Sequence, residues 1–180
     1  MATDQGEEQR RARFEALARE LIDPLRRYLA RRTDPATADD VLSDALLVCW
    51  RRLDDVPDNA LPWAYGVARN CLANAERGER RRERLVARLS VVAPPEQVAA
   101  PDDRDGELLE AMAALRPEDA ELLRLWAWEQ LTSAEIATVL QVSANAASIR
   151  LHRAREKLRE ELRKIQQVAG HEQSREGRGS

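Results

Sequence analysis

The chain has 180 residues, of which 43% are hydrophobic but only 4% aromatic, and it carries a formal net charge of −3. So little aromatic surface excludes a large all-β core, and no apolar run approaches the length that spans a bilayer. A pI near 5.6 excludes a uniformly basic protein that coats nucleic acid, although where the charges sit matters more than their sum.

Alanine, leucine, glutamate and arginine dominate, and all four favour helix on intrinsic propensity. Residues 1–11 are polar and charged and read as a short disordered lead. From Phe14 the apolar positions Phe14, Leu17, Leu21, Leu25, Tyr28 and Leu29 keep helical spacing until Asp34-Pro35 breaks the run. The spacing predicts a second helix opening at Thr37, where Thr37-Ala38-Asp39-Asp40 has the form of a capping box. It continues through Val41, Leu42, Ala45, Cys49 and Leu53. Residues 54–61 then read as a loop. Pro62 suits the first turn of a third helix, which carries Trp63, Val67, Cys71 and Leu72 into an arginine-rich end.

Residues 90–106 hold Pro94, Pro95, Pro101 and an acidic cluster with no amphipathic period, the composition of a flexible linker. The expectation is an all-α protein of two small helical domains, residues 12–89 and 107–166, followed by a disordered tail over 167–180. In the second domain Pro117 restarts a helix after Arg116. Thr132-Ser133-Ala134-Glu135 is another capping box, with Leu131 and Ile136 placed as its hydrophobic staple. A short helix to Leu140, a turn at Gln141-Val142 and a final long helix capped by Ser143 make a helix-turn-helix.

The apolar stripe of that last helix, Ala147, Leu151, Ala154, Leu158 and Leu162, must face the core. The opposite face presents Ser148, Ile149, His152 and Arg153, with Arg150 and Arg155 on the flanks. Arginine bonds guanine edges bidentately, and an exposed isoleucine can meet a thymine methyl. Flanking cations, Lys157 and Arg159 among them, neutralise phosphates. Charges on a terminal helix are as readily a solvated face. The capped helix and short turn before this one favour DNA.

No chemistry of another kind is visible. The seven glycines form no nucleotide-cradling loop, and no Ser/His/Asp arrangement is present. Cys49 and Cys71 have no metal-ligand spacing and read as buried thiols, with a disulfide or redox pair as the alternative. The sequence therefore points to no catalytic residue, no metal, no cofactor and no membrane insertion, in a cytoplasmic protein. A stand-alone helix-turn-helix regulator is the competing reading.

Leu131 to Arg159, LTSAEIATVLQVSANAASIRLHRAREKLR, resembles region four of the extracytoplasmic-function (ECF) sigma factors of bacterial RNA polymerase. Residues 38–46 resemble that family's core-binding helix in region two, and residues 62–70 its minus-ten helix. The resemblance covers residues 12–165 and implies an alternative sigma factor that binds core RNA polymerase and promoter DNA. It implies that Asp39, Asp40, Ser43, Asp44 and Leu47 dock on the polymerase β′ coiled coil. It places Asn59, Trp63, Arg69, Asn70, Asn74, Arg77, Arg80 and Arg81 at the minus-ten element, and Ser143, Asn145, Ser148, Ile149, Arg150, His152, Arg153 and Arg155 at the minus-thirty-five element. Trp63 has a core reading beside this one, and the run Arg77 to Arg88 a solvated-end reading. An anti-sigma factor is implied as a further partner. Ser43 stands where the family usually has glutamine, Gln141 where it has glycine, and Asn145-Ala146-Ala147 where Gly-Thr-Val is frequent, which marks a divergent subgroup.

Overall fold

A computed structural model describes residues 2–87 and 103–176. Seven α-helices and one 3-10 turn make up the described residues, with no strand among them. They are α1 (Ala2–Ala30), α2 (Pro35–Arg51), the turn Leu53–Asp55, α3 (Ala60–Ala87), α4 (Asp103–Ala114), α5 (Pro117–Ala127), α6 (Ser133–Leu140) and α7 (Ala144–Glu176). The chain divides into two compact units. The first is built on α1, α2 and α3, and the second on α4, α5, α7 and the first turns of α6. No helix among the described residues is long and apolar enough to cross a membrane.

In the first unit each helix packs against the other two. Leu21, Leu25, Tyr28 and Leu29 of α1 are buried, and they meet Val41, Leu42, Ala45 and Cys49 of α2 and Ala64, Tyr65, Ala68 and Leu72 of α3. The Tyr28 and Tyr65 rings lie 5.1 Å apart. Helix α1 continues through Pro24, which gives up one main-chain hydrogen bond; the buried stripe on either side of it holds the helix together. Alanines at 45, 64 and 68, all fully buried, let α2 and α3 approach closely.

Three expected boundaries are corrected. Residues 2–11 are not a loose lead but the first turns of α1: Glu7, Glu8, Gln9, Arg10 and Arg11 are good helix formers, and Arg10 has partners on the turn after α2. The linker is shorter than expected, because residues 103–106 already belong to α4; residues 90–102, with Arg88 and Leu89, lie outside the described residues. The tail is helical as far as Glu176, since nothing after Ala144 but Gly170 weakens the main-chain ladder; residues 177–180 lie outside the described residues. The second helix also opens two residues before Thr37. Pro35 takes the first helical position, for which its fixed φ suits it, and the Asp34 carboxylate caps the helix by accepting from the Thr37 N–H at 3.0 Å. Hydrogen bonds from Thr37 hold that carboxyl below its usual value.

The two cysteines are free, Cys49 buried and Cys71 half-buried. Burial, and then the neighbouring Cys71, push the Cys49 thiol up to about 11. Burial and the Asp44 charge raise Cys71 as well. Both therefore stay protonated at neutral pH and unreactive. The described residues contain no group of His, Cys, Asp and Glu able to hold a metal ion.

In the second unit α7 packs against α4 and α5. Ala111 and Met112 of α4, Ala120, Leu122, Leu123 and Leu125 of α5, and Ala147, Leu151 and Ala154 of α7 are buried. Lys157 is ion-paired to Asp119, tying α7 to α5. The capping box of α6 is complete: Glu135 accepts from the Thr132 N–H at 2.8 Å, and Thr132 Oγ1 accepts from the Glu135 N–H at 3.3 Å. Leu131 and Ile136, its staple, are both buried. Helix α6 ends with Gln141 in the left-handed region at φ 55°, while the Val142 N–H donates to Ala137 O at 3.0 Å.

Gln141 therefore occupies a glycine conformation. The left-handed strain of ~1–2 kcal/mol exceeds the ~0.4–1 kcal/mol by which glycine loosens the unfolded chain. Gln141→Gly is expected to raise stability by up to ~1 kcal/mol, read as a higher urea midpoint at unchanged slope. A lower midpoint would show that the glutamine side chain contributes more than its backbone costs.

Candidate nucleic-acid interface

Helix α7 is rotationally fixed by its alanines and Leu151. With Ala147, Leu151 and Ala154 buried, Asn145, Ser148, Ile149, His152 and Arg153 are all exposed on the opposite side, Ile149 at 44%. Ser143 is used differently: its Oγ accepts from the Ala146 N–H at 3.2 Å, so it sets where the helix starts. Arg150 is exposed on one edge of the outward face. Arg155, on the other edge, is half-buried, with its guanidinium 4.5 Å from the Trp126 ring. Trp126 escaped the sequence reading, since nothing local to it signals a partner on α7; it is 39% exposed.

Of the flanking cations, Lys157 is taken by Asp119 and Arg159 by Glu156 on its own helix. Among the described residues Arg150 and Arg153 have no acidic partner. Arg155 has none either and lies against Trp126, so these three arginines carry uncompensated positive charge beside the outward face.

Helix α3 has a similar division. Ala64, Ala68 and Leu72 are buried. Arg69, Asn70, Asn74, Arg77, Arg80 and Arg81 are exposed along the other side, with Asn70, Asn74, Arg77 and Arg81 at three- and four-residue steps. Arg77 donates to Asn74 Oδ1, Arg80 lies 3.8 Å from Glu76, and Arg82 pairs with Glu79. Exposed pairs of this kind contribute about 0–1 kcal/mol, so a phosphate can displace either carboxylate at small cost. Asn59 is exposed at the end of the loop before α3. Trp63 is half-buried, neither a core ring nor a free one, and the Arg52 guanidinium lies 5.6 Å from its ring.

A third face lies on α2. Asp39, Asp40, Ser43, Asp44 and Leu47 are exposed together, opposite the buried Val41, Leu42, Ala45 and Cys49. Leu47 is a large apolar side chain, 44% exposed, at one end of an acidic stripe. The Ser43 hydroxyl donates to Asp39 O at 2.9 Å and turns back onto its own helix.

Family comparison agrees with this geometry. Residues 14–82 match Sigma-70 region 2, and residues 105–158 match Sigma-70 region 4. The chain is 34% identical over 158 residues to the RNA polymerase sigma-E factor of Streptomyces avermitilis, covering 83% of this chain and 84% of that protein. It is 32% identical over 163 residues to the ECF RNA polymerase sigma factor SigL of Mycobacterium tuberculosis, covering 83% and 91%. The chain belongs to the ECF sigma factors. As an alternative sigma factor it directs RNA polymerase to particular promoters and starts transcription there. Its fold is like that of the sigma factor RpoE, solved with the anti-sigma factor NepR from Bartonella quintana, with a TM-score of 0.59 at 21% identity over 83% of this chain and 96% of that one.

In this sigma factor Arg153 is exposed on the outward face of α7, with no acidic partner among the described residues. Arg153→Ala is expected to weaken binding to its best promoter by ~1–3 kcal/mol and to relax preference at a single base pair. Equal loss on every duplex in a gel-shift panel would reassign Arg153 to a phosphate.

Proposed function

We propose that three exposed faces divide the work of promoter recognition. The α7 face, Asn145, Ser148, Ile149, Arg150, His152, Arg153 and Arg155, enters the major groove of the minus-thirty-five element, with Ser143 fixing the helix start. The loop before α3 and the α3 stripe, Asn59, Trp63, Arg69, Asn70, Asn74, Arg77, Arg80 and Arg81, take the opened minus-ten strand. An unstacked base needs amide donors and acceptors along its edge and cations along its backbone, and this stripe holds both, Asn70 and Asn74 followed by Arg77, Arg80 and Arg81. The acidic α2 face, Asp39, Asp40, Ser43, Asp44 and Leu47, docks on the β′ coiled coil of core polymerase.

One observation carries this reading: on each helix the assigned residues, apart from the half-buried Trp63 and Arg155, are exposed together, opposite a buried stripe of the same helix. A stand-alone helix-turn-helix regulator would use the α7 face and leave the α2 face without a partner. The protein acts in the cytoplasm by binding alone, with no cofactor and no catalytic group, while polymerase performs the chemistry. RpoE was solved with an anti-sigma factor. A partner of that class, covering the same faces, would keep this sigma factor silent.

The α2 assignment is tested by Asp44→Arg with Leu47→Asp, two exposed positions that leave the core intact. Affinity for core polymerase is expected to fall at least about tenfold, with the thermal midpoint nearly unchanged. Full core affinity in the double variant would remove α2 from the polymerase interface.

A further inference from the structure

Arg10 and Arg13 stand three residues apart and so share one face of α1, in the stretch where the sequence alone shows only polar chain. The structure brings them to the junction where the chain leaves α2. Arg10 Nη1 donates to Asp54 Oδ2 at 3.1 Å and Arg13 Nη1 to Asp54 Oδ1 at 3.2 Å, so one carboxylate takes both guanidinium groups. The second nitrogen of each goes to the main chain: Arg10 Nη2 to Trp50 O at 2.9 Å, Arg13 Nη2 to Leu53 O at 3.0 Å. A helix leaves its last carbonyls without partners inside itself, and the arginines meet that need around the end of α2. The Arg10 guanidinium also lies 5.2 Å from the Trp50 ring, and Phe14 meets the same ring edge-on at 5.2 Å.

This arrangement contributes little to stability. The Arg10, Arg13 and Asp54 side chains are 36%, 54% and 74% exposed, where ion pairs are worth little. They border an open cavity of about 300 Å³, while Leu53 and the Phe14–Trp50 ring pair supply the apolar packing beside them. What four fork-shaped bonds supply is direction: they set the path on which the chain departs toward Asn59 and Trp63. On the far side Arg52 makes a second brace, donating from Nε to Asp55 Oδ2 at 3.0 Å while its guanidinium faces Trp63.

We infer that Arg10 and Arg13 are positioning residues for the loop between α2 and α3, and that they govern which minus-ten base it accepts. The inference rests on the reading of that loop as the minus-ten contact. Full-length R10A/R13A protein is compared with the unaltered chain, both bound to core polymerase. The probes are single-stranded oligonucleotides carrying the minus-ten sequence mapped from the protein's own start sites, and versions with each base replaced in turn.

The preference for the matched strand is expected to fall roughly fivefold or more. Amide exchange at residues 53–56 and 58 rises, while the thermal midpoint moves by only a few degrees. R10K/R13K, which keeps the charge but loses the fork, behaves like the alanine variant. Unchanged base preference, unchanged amide exchange, or full rescue by lysine overturns the inference. If the unaltered protein itself shows no base preference, the loop is not the minus-ten contact and the inference falls with that reading. The two failures are told apart by whether the unaltered chain discriminates.

Discussion

Every functional face of this sigma factor depends on one constraint: a helix in so small a unit can bury only one stripe. Helix α7 commits Ala147, Leu151 and Ala154 to the core, and that choice alone settles its rotation. Asn145, Ser148, Ile149, His152 and Arg153 are outward because nothing else is possible once the stripe is buried. Helices α2 and α3 follow the same rule with Ala45, Ala64 and Ala68. Small residues at these contacts hold the helices close, so a methyl group or two added there would displace a binding face along with the core.

Charge is arranged on a second principle. The chain is slightly acidic overall, yet its signs are segregated: carboxylates on the exposed side of α2, guanidinium groups on that of α3 and α7. Several of the arginines are held by glutamates one turn away, Arg80 by Glu76 and Arg82 by Glu79. Such pairs are exposed and are worth about 0–1 kcal/mol each, so little is lost if a phosphate takes the place of a carboxylate. Lys157 differs, because its partner Asp119 comes from another helix and the Asp119 side chain is only 14% exposed. That bridge serves to seat α7 rather than to meet DNA.

What was legible in the sequence was local. The Thr132/Glu135 capping box, the Ser143 cap and the outward face of α7 all follow from residues within a few positions of one another. The α2 boundary was misread because two capping signals overlap there, and proline at the first helical position decides for Asp34 over Thr37. The early start of α4 and the helical tail are local too, while the other misses are non-local. Arg10 and Arg13 find Asp54 some forty residues away, and Arg155 finds Trp126 across a turn and a helix. No periodicity carries such pairings, so a helix that becomes ordered through them reads as loose chain.

The central claim is that these faces together make a promoter-specific initiation factor, and it is tested most directly by transcription in vitro. Purified core polymerase is given genomic promoter fragments with and without the protein, and transcript ends are mapped. The account predicts transcripts starting at defined sites only when the protein is present, with two shared elements upstream of those sites. A protein that shifts specific duplex DNA by itself but neither binds polymerase nor yields a transcript would contradict it.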